Sequence, residues 1–383
     1  MNRGLKILFL GGHYPYKAEG NIIGYGGGEI SEYKLATALK EAGAKIKVIS
    51  MDNDPLPPDA NEIDGEIEIV RTSRRFTNQV LRGIEGRYRG IPIVLGECKK
   101  DNPDIILAYS INRGIEASVA RIVHNVPFIV ANSWGYPRFN MSSMNDTLLY
   151  AVSLAWRNAD AVIFPSAIYA EEVQSNILWM KEVKVIPNGV DPDFFRLNNY
   201  KTEHNGVVRF ISTSRVIDGK GIEFLVEASK GLFDKKVAHT LDIVGEGPLE
   251  ERIRGQAAGY EEAIRFHGHH PYNLIPEYLQ NADVFVLPSK KETFGNVVLE
   301  AMASGLAVIS TPVGICPEIL DDKGGLVVEY GDVKTLFEAM EQYCLNPDLP
   351  KNHGHHNSIK IKDFPTWEQV ADMYMSLMLE ILN

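Results

Sequence analysis

The stretch that decides the fold is DVFVLPSKKETFGNVVLEAMASGLAVIST, residues 283–311. Its two ends, DVFVLPS and LAVIST, are short apolar runs bounded by Pro, Ser, Gly and Thr, as in buried strands. The residues between them, from Gly295 to Ser304, have the pattern of a helix. A strand, a helix and a second strand in this order predict a unit of a parallel α/β sheet.

The same alternation of short apolar runs and helical patterns extends in both directions from this stretch. Runs that are apolar on both faces are typical of parallel strands covered by helices. In the first half we expect a helix from Glu29 to Ala42 that ends at Gly43, and another from Asn112 to His124. The predicted strands of that half are KILFL (6–10), KIKVIS (45–50), EIEIVRT (66–72), DIILAYS (104–110), PFIVANS (127–133), AVIFPS (161–166) and VKVIPNG (183–189). The strands predicted after residue 206 are VVRFISTS, TLDIVG, AIRFHG, DVFVLPS, LAVIST and GLVVE.

The two sets of strands predict two doubly wound, Rossmann-like α/β domains. The polar, Asn-rich segment 191–206 separates them and is interpreted as a linker. We expect an acceptor domain over residues 1–190, a donor domain over 207–363, and a helix over 364–383 that returns to the first domain. Ligands of such sheets bind beyond the carboxyl ends of the strands, so a site in a cleft between facing domains is expected.

Composition excludes several classes of protein. The 383 residues carry a formal net charge of −11, which argues against a nucleic-acid partner. The three cysteines, Cys98, Cys316 and Cys344, are widely separated, which argues against a disulfide scaffold or a thiolate zinc site. The apolar run Leu5–Leu10 is shorter than the core of a signal peptide. No run approaches the ~20 apolar residues of a membrane span, so a cytoplasmic protein is expected.

Two glutamates accompany the helix in the decisive stretch. Glu292 lies just before the helix and Glu300 lies on it, while Gly295 opens it. A helix N-terminus suits a phosphate, and the two carboxylates are spaced to accept hydroxyls of a sugar and of a ribose. The spacing alone is more typical of two surface charges on an ordinary amphipathic helix.

Residues 290–314 resemble the E-x7-E region of the retaining GT-B glycosyltransferases of family 4, which include sucrose-phosphate synthase and bacterial mannosyltransferases. Other segments resemble that family in the same order along the chain. They are GGGEIS (26–31), IPNGVDPDFF (186–195), STSRVIDGKGIEFLVEA (212–228), VGEGP (244–248), FHG (266–268), GGLVVEYGDVKTLFEAM (324–340) and FPTWEQVADMY (364–374). The resemblance implies a GT-B fold and transfer from a nucleotide-sugar, UDP- or GDP-linked, to an acceptor hydroxyl with anomeric retention.

The resemblance also implies roles for individual residues. Arg215 and Lys220 match the cations that clamp the donor pyrophosphate, and Glu292 matches the residue that contacts the transferred sugar. Two such cations neutralise a leaving diphosphate without a metal, so neither a metal nor another cofactor is expected. The remaining donor-binding positions are Gly27, Gly28, Gly268, His269, Phe294, Gly295, Asn296, Val297 and Glu300.

Two other patterns could suggest a metal. The HGHH strings at 267–270 and 353–356 lack a third-ligand pattern, and the first of them is interpreted as the contact with the nucleotide base. The pair Asp52 and Asp54 and the pair Asp191 and Asp193 have the spacing of a manganese motif, but the second pair falls in the linker motif and is interpreted as structural.

One segment departs from the family pattern. Many members have His-Gly after a strand of the first domain, where this chain has Ser133-Trp134-Gly135, so Trp134 is assigned to the acceptor and sugar side.

Residues 71–100 hold eight Lys or Arg residues against two glutamates, and they predict either contact with an anionic membrane or a helix packed on its own sheet. A membrane contact would place the protein at the inner face, with a lipid-linked rather than a soluble glycan acceptor.

Three alternative functions follow from the same residues. A nucleotide-sugar 2-epimerase shares the GT-B fold but would not be expected to carry the E-x7-E helix. An NAD dehydrogenase would need a GxGxxG turn, which the sequence lacks. A non-catalytic nucleotide-sugar-binding protein would bind the donor without transferring the sugar.

Overall fold

The computed structural model describes residues 4–12, 14–18, 21–24, 26–52, 63–73, 90–110, 113–131, 146–174, 183–195 and 206–383. The chain forms two compact units. The first comprises Met1–Gly189 together with Trp367–Asn383, and the second comprises Val190–Thr366. Trp134 and residues 74–89, which the sequence analysis singled out, lie outside the described residues.

The first unit contains an eight-stranded sheet with the order β10-β9-β8-β7-β1-β4-β6-β5. Every pairing in it is parallel except that of the short strand β5 with β6, and β2 and β3 form a separate antiparallel pair. The strands are β1 (Lys6–Leu10), β2 (Tyr16–Ala18), β3 (Asn21–Ile23), β4 (Lys45–Asp52), β5 (Ile63–Asp64), β6 (Ile67–Ser73), β7 (Ile105–Ala108), β8 (Phe128–Ala131), β9 (Ala161–Phe164) and β10 (Val183–Val185). The helices are α1 (Gly27–Glu41), α2 (Gly90–Asp101), α3 (Arg113–His124), α4 (Asp146–Asn158) and α5 (Ala167–Gln174).

Both faces of this sheet are buried, as the apolar runs predict. Ile7 and Phe9 of β1 pack into the apolar cluster on one face, whereas Leu8 and Leu10 pack into the cluster on the other. The predicted end of α1 is also confirmed: Gly43 has φ +95°, and the Ala44 amide donates to the Leu39 carbonyl at 3.0 Å. This is the left-handed helix cap that glycine favours.

The second unit contains a six-stranded parallel sheet with the order β13-β12-β11-β14-β15-β16. Numbered from β11, this order is 3-2-1-4-5-6, the doubly wound arrangement of dinucleotide-binding domains. The strands are β11 (Val208–Thr213), β12 (His239–Val244), β13 (Ile264–Gly268), β14 (Val284–Leu287), β15 (Ala307–Ser310) and β16 (Gly325–Val327). The helices are α6 (Pro192–Phe195), α7 (Ile222–Asp234), α8 (Glu250–Gln256), α9 (Ile275–Gln280), α10 (Asn296–Ala303), α11 (Cys316–Ile319), α12 (Val333–Leu345) and α13 (Asp348–Lys360), with 3-10 turns at Tyr272–Leu274 and Ile361–Asp363.

A terminal helix, α14 (Trp367–Leu382), packs on the first unit after the chain has completed the second. It lies against α1, and its buried side chains join the cluster that contains Phe9 of β1. Those side chains are Trp367, Val370, Ala371, Tyr374 and Met378. The predicted return of a C-terminal helix to the first domain is therefore confirmed.

Candidate functional site

The second sheet has its topological switch point between β11 and β14. From β11 the chain proceeds to β12 and β13 on one side, and β14 begins the other side. The connections after β11 and β14 therefore lead to strands on opposite sides of this point. The carboxyl edge at such a point is where open α/β sheets bind ligands. Five of the residues predicted for the donor site lie on the loops after β11 and β14: Arg215, Lys220, Glu292, Phe294 and Gly295. Asn296, Val297 and Glu300 follow on α10.

These two loops are held together through backbone contacts. The Lys290 amide donates to the Gly219 carbonyl at 2.8 Å. Gly221 has φ +70°, and a Cβ at this position would lie 2.1 Å from the Pro288 carbonyl oxygen. Only glycine fits a backbone approach of this kind at a left-handed position.

Lys220 and Glu292 meet at this junction although 72 residues separate them in the chain. The Lys220 Nζ donates to the Glu292 Oε1 at 2.6 Å, and the two side chains are 22% and 13% exposed. Arg215 is exposed on the same loop as Lys220. Among the described residues, no carboxylate forms an ion pair with its guanidinium. The loop after β11 thus offers one cation engaged by a glutamate and one cation facing solvent.

The helix α10 begins beside Glu292. Its N-cap is Gly295, with φ +89°, which has no side chain to cap the first turn that Asn296 and Val297 begin. Phe294 is buried, and its carbonyl accepts a hydrogen bond from the Ile315 amide at 2.7 Å. This bond holds the turn that precedes α10 against the segment around Ile315. The start of a helix presents backbone amide groups and a partial positive charge, so it can bind an anionic group.

Glu300 lies further along α10 and is only 8% exposed. Its carboxylate accepts a hydrogen bond from the Tyr272 hydroxyl. Tyr272 follows β13 and was not singled out in the sequence, because it lies in a loop without a recognisable motif. Burial, followed by the charges of Glu300 and Asp191, raises the pKa of Tyr272 well above its ordinary value of 10.0, so the phenol stays protonated as a donor.

The ends of β12 and β13 form a third part of this edge. The Gly245 amide donates to the Gly268 carbonyl at 2.7 Å, and Gly268 has φ +73° with no atom within 4 Å of where a Cβ would be. His269, next to it, is half-buried. Gly268 and His269 therefore lie at the carboxyl edge of the sheet. The sequence predicts that they contact the nucleotide base.

The neighbouring histidines have partners within the protein. His267 Nε2 lies 2.6 Å from Asp242 Oδ1, and His270 Nε2 lies 2.7 Å from the Tyr278 hydroxyl. In the second HGHH string, His353 Nδ1 lies 2.9 Å from the Tyr343 hydroxyl. Within the described part of the chain, no group of three His, Cys, Asp or Glu side chains converges as a metal ion would require.

Cys316 lies beneath the loop that carries Glu292, and its Sγ is 3.1 Å from the Ser310 hydroxyl. The thiol is 1% exposed. Burial, together with the Glu292 charge, raises the pKa of Cys316 to about 12. The thiolate is the nucleophilic form of cysteine, so Cys316 is not a candidate nucleophile.

Gly27 and Gly28 lie in the first turn of α1 in the first unit, where Gly26 is the N-cap. The Ser31 hydroxyl donates to the Gly27 carbonyl at 2.7 Å, and the Asn188 amide lies 3.3 Å from the same hydroxyl. Asn188 is buried, and its Oδ1 accepts from the Tyr109 hydroxyl at 3.5 Å. The sequence contains Asn188 within the motif IPNGVDPDFF but predicts no role for it. In the folded unit it is linked through Ser31 to the turn that contains Gly27.

Family models match both halves of the chain. The model described as Glycosyltransferase Family 4 matches residues 25–194, and the model described as Glycosyl transferases group 1 matches residues 207–346. The capsular polysaccharide biosynthesis glycosyltransferase CapM of Staphylococcus aureus is 22% identical over 368 residues, covering 89% of this chain and 92% of that protein.

Solved structures agree in fold. Sucrose-phosphate synthase of Thermosynechococcus elongatus superposes with a TM-score of 0.84 at 21% identity, covering 98% of this chain and 99% of that one. The Anabaena protein Alr3699/HepE in complex with UDP-glucose gives a TM-score of 0.75 at 18% identity, covering 98% of this chain and 100% of that one. No helix among the described residues has the length and apolar character needed to cross a membrane.

Proposed function

The chain belongs to the group 1, family 4 glycosyltransferases and has their GT-B fold, and from this premise we propose that it transfers a sugar from a UDP- or GDP-sugar to an acceptor hydroxyl with anomeric retention. The observation that carries the proposal is the Lys220–Glu292 pair, which lies beside the start of α10 at the switch point of the second sheet. This arrangement places a cation, a carboxylate and a helix N-terminus around one position.

The leaving diphosphate binds at the start of α10 in this proposal, next to Arg215 and Lys220. Negative charge grows on its bridging oxygen as the glycosidic bond breaks, and preorganised cations stabilise that charge most in the transition state. Lys220 exchanges part of its contact with Glu292 for a phosphate oxygen when the donor binds. Because the two side chains supply the positive charge, no metal is required.

The two glutamates have different roles in the proposal. When Lys220 turns to the phosphate, Glu292 accepts hydrogen bonds from hydroxyls of the transferred sugar. Buried Glu300 accepts hydrogen bonds from hydroxyls of the ribose. Gly268 and His269 contact the base in this proposal, and the donor contacts of Gly27 and Gly28 stay predictions from the sequence. No residue of the site is assigned as a covalent nucleophile, so the acceptor attacks on the face from which the diphosphate departs, as in the family.

The acceptor is proposed to be a glycan or a lipid-linked glycan, and the assignment of Trp134 to the acceptor and sugar side stays a prediction from the sequence. CapM, by its name, takes part in capsular polysaccharide biosynthesis, which supports a glycan acceptor. The basic stretch 71–100 supports peripheral contact with anionic lipid at the inner face of the membrane. Its described end includes Lys99 and Lys100 at the end of α2, and the Lys100 side chain is 63% exposed.

The experiment is a thermal-shift screen against UDP, GDP and ADP and their sugars, followed by a transfer assay in EDTA with the donor that binds. A ligand at ~100 times its Kd should add about 2.7 kcal/mol to the free energy of unfolding. Transfer, or slow hydrolysis of the donor, should persist in EDTA. Complete loss that Mn²⁺ or Mg²⁺ restores would show that a metal is needed and direct attention to the two Asp pairs.

Membrane contact is tested by flotation with anionic and neutral vesicles at low salt. Replacing Arg74, Arg75 and Arg82 with Gln should weaken anionic binding by about 1 kcal/mol for each charge. Wild-type protein that stays with neither vesicle would instead favour a soluble acceptor.

A further inference from the structure

Tyr272 is held against helix α6 of the second unit by aromatic contacts. Its ring stacks on Phe194 of α6, with centroids 5.4 Å apart and planes inclined by 15°. Phe195 of the same helix meets the ring edge-on at 6.1 Å. Phe195 is itself 1% exposed, and its carbonyl accepts the Gln280 side-chain amide at 2.8 Å. The phenol ring therefore has little freedom to move.

The hydroxyl of this fixed ring donates to Glu300, the buried carboxylate on the facing helix α10. An ionised carboxylate has two oxygens with about four acceptor positions. A hydrogen bond from Tyr272 restricts the rotation of the carboxyl group, and a carboxylate has more acceptor positions than one donor occupies. A buried carboxylate without such a donor would lose both hydration and orientation.

We propose that Tyr272 is a positioning residue for nucleotide binding, which holds the Glu300 carboxylate in the orientation that accepts the ribose hydroxyls of the donor. This inference rests on the proposed function, because it takes Glu300 as the ribose contact. Tyr272 does not touch the reacting atoms, and its effect is limited to the affinity for the ribose. The aromatic stack supplies the rigidity, and the hydroxyl supplies the orientation.

A merely structural role would have a different consequence from the proposed one. A residue that only fills space affects the free energy of unfolding and weakens all ligands to a similar degree. A residue that orients Glu300 affects the ligands that have ribose hydroxyls and spares those that lack them. The ratio of the two affinities therefore separates the two roles.

The experiment measures by calorimetry the affinities for UDP and for 2′,3′-dideoxy-UDP, with GDP and its dideoxy analogue in parallel. The variants are Tyr272→Phe, which keeps the stacked ring, and Glu300→Gln. Tyr343→Phe is the matched control, because it removes a buried phenol hydroxyl whose partner is His353, outside the site. We expect Tyr272→Phe to weaken binding of the ribonucleotide about tenfold, the usual scale for one hydrogen bond to a charged group. Binding of the dideoxy form should stay within twofold, and Tyr343→Phe should bind both forms like wild type.

Steady-state kinetics add a second readout. Tyr272→Phe should raise the donor KM about tenfold and leave kcat within twofold, because Glu300 contacts the ribose equally before and during the reaction. If Glu300→Gln loses the ribose preference while Tyr272→Phe keeps it, the Tyr272 proposal is wrong and the proposed function stands. If Glu300→Gln keeps the full preference, the assignment of Glu300 is wrong and the Tyr272 proposal falls with it. Equal weakening of both ligands by Tyr272→Phe would show a structural role only.

Discussion

Lys220 has two competing partners in the proposed reaction, the Glu292 carboxylate 2.6 Å away and the leaving diphosphate. Part of its attraction for the donor is therefore offset by the loss of the ion pair. The charge on the diphosphate grows during bond cleavage, whereas the charge on Glu292 does not. The balance shifts toward the phosphate as the reaction proceeds, which favours the transition state over the bound donor.

Replacing Lys220 with Ala should accordingly reduce turnover more than donor binding. We expect kcat to fall by ~10²–10³, the usual effect of losing one preorganised electrostatic contact. Steady-state kinetics with the donor from the screen measure it. Lys235→Ala is the control, since it removes a surface ion pair with Glu341 at 3.0 Å in the same unit. Values of kcat within twofold of wild type for both Lys220→Ala and Arg215→Ala would show that neither residue clamps the diphosphate.

Asp321 should make the second unit sensitive to acid. Burial alone would raise the pKa of Asp321, but hydrogen bonds from Lys360 and His356 lower it to about 2. The folded pKa lies below the unfolded value of about 3.9, so the contribution to stability is present above pH ~4 and is lost as the pH falls toward 2.

Asp321→Asn tests this contribution through thermal unfolding as a function of pH. The side chain is 38% exposed, and solvent screening should limit the loss at pH 7 to about 1 kcal/mol or less. The difference from wild type should shrink below pH 4. Asp322→Asn, at the exposed neighbouring position, is the control. A difference from wild type that stays constant from pH 7 to pH 2 would contradict the assignment.

At the scale of elements, the start of α10 depends on two glycines with different surroundings. Gly314 has φ +56°, and a Cβ there would lie 2.2 Å from the Phe294 carbonyl oxygen. Gly295 has φ +89°, but the nearest atom to its Cβ position is 3.8 Å away. The positive φ at both positions would strain any L-residue. Only at Gly314 is there also no room for a Cβ atom.

Gly314→Ala should therefore be much more disruptive than Gly295→Ala. We expect Gly295→Ala to lower the free energy of unfolding by about 1–2 kcal/mol, the strain of a left-handed residue. Gly314→Ala adds a backbone displacement and should cost at least about 2 kcal/mol more. It should also weaken nucleotide binding, because it moves the turn that presents the helix start. Denaturant unfolding and UDP titration measure both effects, and equal values for the two variants would contradict the steric argument.

Most of these elements could be predicted from the sequence, because their physical causes are local. The run Lys6–Leu10 has the predicted bounds, the terminal helix Trp367–Leu382 lies within the predicted range 364–383, and α10 is one residue shorter at each end than expected. The pair β2–β3 and the strand β5 were not predicted. They have only two or three residues each and, unlike the equally short β10 and β16, they do not lie in a longer apolar run. The ion pair of Lys220 depends on the order of β11 and β14 in the sheet, which only the folded chain determines. The role of Tyr272 likewise depends on its contacts with α6 and α10, which only the folded chain brings beside it.

At the scale of the whole molecule, α14 contributes to a core built from distant parts of the chain. Met378 is 0% exposed in the cluster on one face of the first sheet, and the adjacent Leu379 is 50% exposed. Met378→Ala should lower the free energy of unfolding by about 2–5 kcal/mol, the usual range for a buried methionine. Leu379→Ala is the control and should change it by less than about 0.5 kcal/mol. Thermal unfolding measures both, and equal effects would mean that α14 does not depend on its buried face.

The position of α14 in the chain also affects the order in which the protein folds on the ribosome. Domains usually fold as they emerge, with the N-terminal one first. Here the first unit lacks the side chains of Trp367–Leu382 until residues 190–366 have been synthesised, whereas the second unit is continuous. The second unit can thus complete its core while the first still exposes the apolar surface that α14 covers. A nascent chain at this stage presents a binding surface for a chaperone, and release of the helix from the exit tunnel removes that surface.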